Sequence, residues 1–163
     1  MDIGNHPLIV KNISWSDEAH TQAFAEKLAA RADIRNAQIE LQGDLGAGKT
    51  TFVRHLLRAL GVEGRIKSPT YAVVEPYTVH GPGGEPTNIW HFDFYRFNDP
   101  DEWEEAGFRD IFSSPGLKLV EWPEKAGEHL TQSDLVIRIA VNTDESREVS
   151  LLAYSDTGRA LVA

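Results

Sequence analysis

The segment that most constrains this chain is the run from Gly43 to Thr50, which reads GDLGAGKT. It matches G-x-x-x-x-G-K-[ST], the P-loop pattern that binds phosphate. Gly43 and Gly48 permit backbone angles that a Cβ would forbid, so that consecutive N–H groups can turn around a phosphate. Lys49 brings a positive charge to the β- and γ-phosphates, and the Thr50 hydroxyl is a candidate ligand of Mg²⁺. The segment therefore predicts a site for a nucleoside triphosphate.

The residues on both sides of this segment fit a P-loop. Residues 37–42 alternate around Ile39 and Leu41, which is typical of a strand. The residues that follow place their apolar members on one helical face: Phe52, Val53, Leu56, Leu57 and Leu60. Gly61 stands where a helix-ending glycine is expected. With this composition the motif alone would arise by chance in under about one sequence in a hundred, and the strand, loop and helix lower that further.

Length and charge limit the other possibilities. The 163 residues predict one domain, spanning 1–163, with 41% hydrophobic and 25% charged residues. A formal net charge of -9 argues against extensive direct binding of RNA or DNA. One local basic patch is the exception, with Arg54, Arg58, Arg65 and Lys67 close together in sequence.

The chain has no cysteine, which excludes disulfides, thiolate metal sites and cysteine nucleophiles. The first six residues, MDIGNH, contain neither the basic nor the apolar region of a signal peptide. No apolar run approaches the length of a membrane span. We therefore expect a soluble cytoplasmic protein without a membrane partner.

The first half of the chain predicts alternating strands and helices around the P-loop. Residues 8–13 form a first strand, and Ser16 or Asp17 caps a helix that runs to about Ala32. Residues 61–70 connect the P-loop helix to a strand at 71–77, and a loop rich in Gly and Pro at 80–86 leads to a strand at 87–95. The short spacing predicts that these two strands pair as a hairpin.

The second half predicts one short helix and further strands. Asp99 caps that helix, Pro100 is its first residue, and it ends near Gly107. Strands follow at 117–120, 135–141 and 149–154, the last two antiparallel around a polar turn, and Leu161 and Val162 extend the sheet. The fold class is α/β: a single small P-loop NTPase domain with a mixed sheet, hairpin-paired strands and few helices.

Hydrolysis needs more than a P-loop, and three segments are candidates to supply the rest. Glu121 ends an apolar strand, as the acid of a Walker B element does, and could hold Mg²⁺ directly or through water; otherwise it is an exposed acid at a strand end. Asp93 lies among apolar and aromatic residues, where a carboxylate needs a cation such as Mg²⁺ or Arg96. His91 alone is more typical of a structural histidine.

Thr70 is the third candidate. It lies in KSPT, in the connector between the P-loop helix and the next strand, where a switch that senses nucleotide would lie. A simple proline turn explains this segment equally well. No N-K-x-D motif for reading guanine occurs in the chain, which favours ATP over GTP.

Together these segments resemble the bacterial TsaE family of small P-loop ATPases. The resemblance runs from about Ser16 to Tyr154, and its motifs are 43–51 (GDLGAGKTT), 67–71 (KSPTY), 74–77 (VEPY), 91–96 (HFDFYR), 107–110 (GFRD) and 119–124 (LVEWPE). The P-loop alone does not select this family. KSPTY, HFDFYR and VEWPE together are highly specific.

The resemblance implies an ATPase, weak by itself, that binds ATP and Mg²⁺. Such a protein supports the TsaB–TsaD pair in forming N6-threonylcarbamoyladenosine on tRNA, and meets tRNA indirectly through that complex. It also implies site residues. Thr50 and Glu121 would be Mg²⁺ ligands, Asp93 a further catalytic or metal-linked acid, and Thr70 a switch. Lys49 and the backbone of residues 44–51 would hold the phosphates: Asp44, Leu45, Gly46, Ala47, Gly48, Lys49, Thr50 and Thr51.

The resemblance further implies two adenine contacts, near Glu18 at the start of the first helix and Arg147 in the turn between the last strands. Trp122 would be a tryptophan beside the site that contacts a partner or senses nucleotide. The loop at 80–86 is longer than is usual in the family, so the resemblance does not define partner contacts there.

Two other functions share these motifs. A small-molecule kinase would need an acceptor pocket and an arginine-bearing lid, and the sequence shows no lid with clustered arginines, since Arg96 and Arg109 are dispersed. A nucleotide-gated assembly factor would need ATP binding but not hydrolysis. The sequence shows no obvious internal arginine finger, so the main hypothesis is an ATPase that depends on its partners.

Overall fold

Seven strands form one mixed sheet in the computed structural model, which describes residues 6–67, 69, 73–81 and 83–163. The strands are β1 (Ile9–Trp15), β2 (Gln38–Gln42), β3 (Val74–His80), β4 (Pro86–Asp93), β5 (Leu117–Glu121), β6 (Leu135–Val141) and β7 (Arg147–Ala153). Their spatial order is β1-β7-β6-β2-β5-β4-β3. β6, β2, β5 and β4 are parallel neighbours, and the pairs β1–β7, β7–β6 and β3–β4 are antiparallel. The predicted mixed sheet with hairpin-paired strands is confirmed.

Short helices connect and cover the sheet. They are α1 (Glu18–Ala29), α2 (Lys49–Leu60), α3 (Glu102–Glu105), α4 (Arg109–Phe112) and α5 (Asp156–Val162), with 3₁₀ segments at Ala32–Asn36 and Pro123–His129. The Asp17 side chain accepts a hydrogen bond from the His20 backbone N–H, so Asp17 is the cap of α1. Gly61 ends α2 with φ of 107°, as predicted. α1 stops a turn earlier than predicted because the chain tightens into the 3₁₀ segment.

Apolar side chains on opposite faces of the sheet form two separate cores. Ile39 and Leu41 of β2 belong to the larger core, with Phe52 and Leu56 of α2. On the opposite face, Phe92 of β4 and Val120 of β5 pack with residues of the segment that follows β4: Phe94, Phe97, Trp103 and Phe108. Because successive strand residues point to opposite faces, burial on both sides holds β4 and β5 firmly at the centre of the site described below.

One predicted strand is wrong. Leu161 and Val162 lie in helix α5 and do not extend the sheet. The Ser155 hydroxyl accepts from the Gly158 backbone N–H and starts this helix. A Cβ on Gly158 would lie 2.0 Å from the Asp134 carbonyl oxygen, so glycine allows the helix to approach the strand connection closely. An apolar pair is too short to distinguish a helix end from a strand by its pattern.

Asp99 acts as the predicted cap, but the helix itself begins two residues later than predicted. α3 begins at Glu102, its N-cap is Asp101, and the Asp101 side chain makes no capping hydrogen bond. The Asp99 carboxylate accepts from the Asp101 backbone N–H at 3.0 Å, and the Asp99 carbonyl oxygen accepts from the Glu102 N–H at 3.0 Å, so Asp99 caps the turn that leads into α3. The predicted end of this helix near Gly107 is confirmed.

The predicted strand at 71–77 falls partly outside the described residues, which resume at Val73. From there the chain forms β3 at Val74–His80, three residues beyond the predicted end. Within the residues that the structure describes, no helix has the length and apolar character to cross a membrane.

The Glu40 carboxyl group should make the stability of the fold depend on pH. Its carboxylate accepts hydrogen bonds from the Ser133 hydroxyl at 2.9 Å and the Gln42 amide at 3.2 Å, and burial raises its pKa above the usual value. The folded carboxyl therefore holds its proton more tightly than the unfolded one. Ionisation of this buried carboxyl therefore lowers the stability of the fold. The cost is absent below the pKa of Glu40 in the unfolded chain and reaches its full size above the raised pKa in the folded protein. Glu40→Gln removes this cost. The free energy of unfolding of the variant, relative to that of wild type, should therefore be about 1 kcal/mol larger at pH 7 than at pH 4.

Urea unfolding at the two pH values measures this difference. Because only the change with pH is compared, any hydrogen bond lost equally at both values cancels. Glu26→Gln, on the exposed surface of α1, is the matched control and should show no such change. An equal advantage of Glu40→Gln at both pH values would contradict the prediction.

Candidate functional site

The P-loop turns the chain sharply from β2 into α2. Gly43 has φ of 155°, and a Cβ there would lie 2.6 Å from the Ile139 carbonyl oxygen. Gly48 has φ of 108° and is the N-cap of α2, where it supplies no side-chain cap. The backbone N–H groups of the first helical turn are therefore directed at the loop, together with the positive end of the helix dipole. This arrangement binds anions.

The loop between these glycines is short and partly exposed. The Ala47 backbone N–H donates to the Asp44 carbonyl oxygen at 3.0 Å, and Gly46 has φ of 81°. Leu45 is 67% exposed at the tip of the loop.

Lys49 lies buried at the start of α2. Its ammonium group donates to the Gly43 carbonyl oxygen and lies 3.8 Å from the centroid of the Trp122 ring. Burial lowers the pKa of Lys49, and the carboxylates of Glu121 and Glu124 oppose that effect. The site thus holds a positive charge that is poorly hydrated and available to phosphate.

Two carboxylates lie beside the P-loop at the carboxyl ends of β4 and β5. Asp93 and Glu121 are paired in the parallel register of these strands, and Glu121 is also paired with Leu41 of β2. The Thr50 hydroxyl donates to Glu121 Oε1 at 3.3 Å. The structure therefore brings together Thr50, Asp93 and Glu121, three residues that the sequence analysis assigned to one site, at the edge where ligands bind in open α/β sheets.

The surroundings of these two acids are unusual. Glu121 is 2% exposed, so it is not an acid at an exposed strand end. Burial raises the pKa of Asp93, with the Glu121 charge adding to it, and the Tyr95 backbone N–H opposes this by donating to Asp93 Oδ1 at 2.9 Å. A cation placed beside both carboxylates would relieve this repulsion.

The donor atoms fit Mg²⁺. A hydroxyl and two carboxylates supply the oxygen ligands that this cation prefers. Among the described residues no group of three or more His, Cys, Asp or Glu is arranged to hold a metal by itself. Proteins commonly hold Mg²⁺ through one or two side chains together with water and substrate phosphates.

His91 is a residue of the site whose role the sequence did not reveal. Its Nε2 lies 2.6 Å from Glu121 Oε2, and both side chains are almost fully buried. The sequence offered one indication that His91 lies near the site: it stands two residues before Asp93 and therefore on the same face of β4. That signal could not identify Glu121 as its partner, because the pairing of β4 with β5 is a tertiary contact.

Trp122 follows Glu121 in a left-handed backbone conformation, with φ of 56° and ψ of 51°. Such a conformation costs a non-glycine residue about 1 kcal/mol or more, and it persists where the surrounding structure enforces it. It places the indole against Lys49, with the Tyr95 ring centroid 5.0 Å away. The resemblance implied a tryptophan beside the site, and Trp122 lies there. Thr70, the implied switch, lies outside the described residues.

Two cavities meet at the P-loop. The smaller, of about 240 Å³, is lined by Lys49, Thr50, Asp93, Glu121 and Trp122. The larger, of about 560 Å³, lies between the start of α1, the P-loop and the β6–β7 turn, and Trp15, Asp17, Thr21 and Glu145 are among its lining residues. Gly46, Gly48, Thr51 and Arg147 line both cavities. One elongated ligand can therefore extend across the loop into both.

Glu18 and Arg147, the implied adenine contacts, both line the larger cavity. Glu18 also pairs with His55, with 2.9 Å between Glu18 Oε2 and His55 Nε2. The Arg147 side chain donates to the carbonyl oxygens of Ala47, at 2.7 Å, and Glu145. Arg147 thus lies at the junction of the two cavities, next to the phosphate loop as well as the proposed adenine region.

The strand, glycine loop and helix, with acids at the ends of neighbouring parallel strands, define an α/β P-loop nucleotide-binding fold. Comparison with known proteins identifies the family. A family model described as threonylcarbamoyl adenosine biosynthesis protein TsaE matches residues 15–149. The chain belongs to the TsaE family, which acts in the biosynthesis of threonylcarbamoyladenosine in tRNA.

Individual relatives are similar to this chain along most of its length. The tRNA threonylcarbamoyladenosine biosynthesis protein TsaE of Haemophilus influenzae is 39% identical over 140 residues, covering 86% of this chain and 85% of that protein. The TsaE of Bacillus subtilis is 35% identical over 149 residues, covering 90% and 89%. The crystal structure of Bacillus subtilis YdiB superposes with a TM-score of 0.70 at 31% identity, covering 94% of this chain and 93% of YdiB.

Proposed function

We propose that this protein is a Mg²⁺-dependent ATPase that supports a TsaB–TsaD complex in forming threonylcarbamoyladenosine on tRNA. The observation that carries the proposal is the 3.3 Å contact between the Thr50 hydroxyl and the buried Glu121 carboxylate, beside the P-loop lysine. A loop that only bound phosphate would not need a buried acid at this point. A phosphoryl-transfer site needs one for its cation.

Each part of the loop has a role in holding ATP. The backbone N–H groups of residues 44–51 and the start of α2 would bind the phosphate oxygens. Lys49 would add its buried charge at the β- and γ-phosphates. The nucleoside would occupy the larger cavity with Glu18 and Arg147, since that cavity joins the smaller one across the loop.

Thr50 and Glu121 would hold Mg²⁺, with Asp93 next to them either as a ligand, directly or through water, or as the acid that orients the attacking water. When bound, Mg²⁺ neutralises charge on the β- and γ-phosphate oxygens. Asp93 accepts from the Tyr95 N–H, which fixes one of its oxygens and leaves the other for a ligand water. Water would add to the γ-phosphorus while the bond to the β–γ bridging oxygen breaks, so that ADP leaves with the bonding pair; one proton of the water stays on the inorganic phosphate and the other is released to solvent.

TsaB and TsaD are the partners that the resemblance implies, and the family's role in tRNA threonylcarbamoyladenosine biosynthesis supports this part of the proposal. The net charge of -9 supports contact with tRNA through the complex and not by this chain alone. Work on tRNA also accords with the cytoplasmic location that the sequence predicts.

The first test is binding and hydrolysis of ATP by the purified chain. Lys49→Met should weaken ATP binding by about 10- to 100-fold, because it removes a charge-assisted contact with the phosphates. Lys118→Met is a matched control: Lys118 is also buried and burial also lowers its pKa, but it does not line either cavity at the P-loop. Calorimetry measures affinity, and phosphate release measures turnover.

Wild type and Lys118→Met should bind ATP alike and hydrolyse it only with Mg²⁺. Failure of wild type to bind ATP would overturn the proposal. Phosphoryl transfer to a metabolite in preference to water would favour the kinase alternative.

A further inference from the structure

The side chains of His91 and Glu121 form a buried pair, and Glu121 is the member of the pair that belongs to the proposed Mg²⁺ site. His91 Nε2 lies 2.6 Å from Glu121 Oε2, with side chains only 2% and 3% exposed. The pair is formed across neighbouring strands, since His91 is in register with Leu119, two residues before Glu121. Both residues therefore lie on the face of the sheet that also carries the P-loop helix.

The two oxygens of the Glu121 carboxylate have different partners. His91 contacts Oε2, while the Thr50 hydroxyl donates to Oε1 at 3.3 Å. A carboxylate held at one oxygen cannot rotate freely about its last bond. The contact with His91 thus fixes Oε1 on the side of Thr50 and the P-loop.

His91 is not explained by packing alone. Its Nδ1 is buried and has no hydrogen-bond partner among the described residues. Leaving a buried polar atom unpaired is unfavourable, so an apolar side chain of similar size would suit a purely structural position better. Placing the hydrogen on Nε2 makes the unpaired Nδ1 an acceptor, and unpaired buried acceptors are tolerated better than unpaired donors.

We propose that His91 is a positioning residue, which donates from Nε2 to Glu121 Oε2 and so presents Glu121 Oε1 to the cation beside Thr50. This inference rests on the proposed function, because it assigns Glu121 to the cation. It adds a second layer to the site: His91 touches neither ATP nor the cation and acts only through Glu121. Outer contacts of this kind are typically worth 10- to 100-fold in metal affinity.

Two substitutions separate positioning from packing. His91→Gln keeps an N–H donor near the position of Nε2, whereas His91→Leu fills similar space without a donor. With ATP present, Mn²⁺ affinity measured by electron paramagnetic resonance should fall about 10- to 100-fold in His91→Leu and stay close to wild type in His91→Gln. ATP affinity without metal should be unchanged in both variants.

A purely structural His91 predicts a different pattern. Both variants would then lose thermal stability, and neither would change Mn²⁺ affinity. That result would overturn the inference and leave the proposed ATPase intact. If wild type with ATP bound no Mn²⁺ at all, the proposed Mg²⁺ site would fail, and this inference with it.

A second measurement needs no substitution. The side-chain ¹⁵N shifts of His91 in the wild-type protein distinguish its tautomers, and the inference requires the hydrogen on Nε2. Glu121→Ala, which removes the acceptor, should shift the Nε2 resonance, whereas Glu128→Ala on the surface should not. A hydrogen on Nδ1 alone would overturn the inference, even if His91→Leu proved unable to fold.

Discussion

Glu121→Gln should lower ATP hydrolysis by about 10²- to 10³-fold while changing ATP affinity only slightly. The substitution keeps size and shape but replaces one oxygen and the negative charge with an amide. The Gln oxygen can still accept from His91, which then directs the amide nitrogen at Thr50, where a cation needs an oxygen. Loss of one preorganised electrostatic group in an active site typically has an effect of this size.

The control for this variant is Glu124→Gln. Glu124 also acts electrostatically on Lys49, but it lies on the exposed surface of the segment after β5. Its substitution should leave hydrolysis within about twofold of wild type, because exposed charges are screened by solvent. Near-normal hydrolysis in Glu121→Gln would show that Glu121 does not serve the cation, and the site would need a different acid.

The parts of this site that lie close together in sequence were predictable. The strand, the loop from Gly43 to Thr50 and helix α2 form one continuous unit, and its glycines and apolar spacing determine its structure locally. Glu121 was also recognisable as an acid at the end of an apolar strand. The pattern could not predict that Glu121 is buried, because its burial depends on the strands that flank β5.

Contacts between distant segments were not predictable from pattern. The pairing of His91 with Glu121 depends on the register of β4 against β5, and no local rule fixes that register. Glu18 and Arg147 line one cavity, but only the family resemblance had suggested placing them together. Their segments meet because β1 pairs with β7.

The errors in the predicted elements have local causes. Asp99 caps the short helix as predicted, since its carboxylate accepts from the Asp101 N–H, but α3 begins at Glu102 and not at Pro100. Leu161 and Val162 have strand-forming character, but Ser155 starts a helix before them. At Ser155 a short polar side chain that accepts a hydrogen bond from a backbone N–H outweighed the intrinsic preference of the residues that follow.

The second large effect concerns the partners. ATP hydrolysis should be slow in the isolated chain and rise by about 10³- to 10⁵-fold when TsaB and TsaD are added, which is the effect of a cation that a partner supplies at the γ-phosphate. The expectation is based on the cations of the smaller cavity at the P-loop. Its lining includes the cations Lys49 and Arg147, and the Arg147 guanidinium already donates to two backbone carbonyl oxygens.

A partner that binds at the rim of the site would cover two exposed side chains. Leu45 is 67% exposed at the loop tip and Tyr95 is 44% exposed beside Trp122. A protein that closed over these side chains would exclude water from Lys49, Asp93 and Glu121, which strengthens every charge interaction there. Closure would therefore accelerate hydrolysis even before any added cation is counted.

Rates of phosphate release with and without TsaB and TsaD, at saturating ATP and Mg²⁺, measure the coupling. Equal rates in both conditions would contradict it. Adding Glu121→Gln to the reconstituted complex then separates two roles of ATP. If tRNA modification stops with hydrolysis, turnover of ATP drives the cycle. If modification persists while ATP is bound but not hydrolysed, the protein is a nucleotide-gated assembly factor, and the buried acid serves binding of the cation alone.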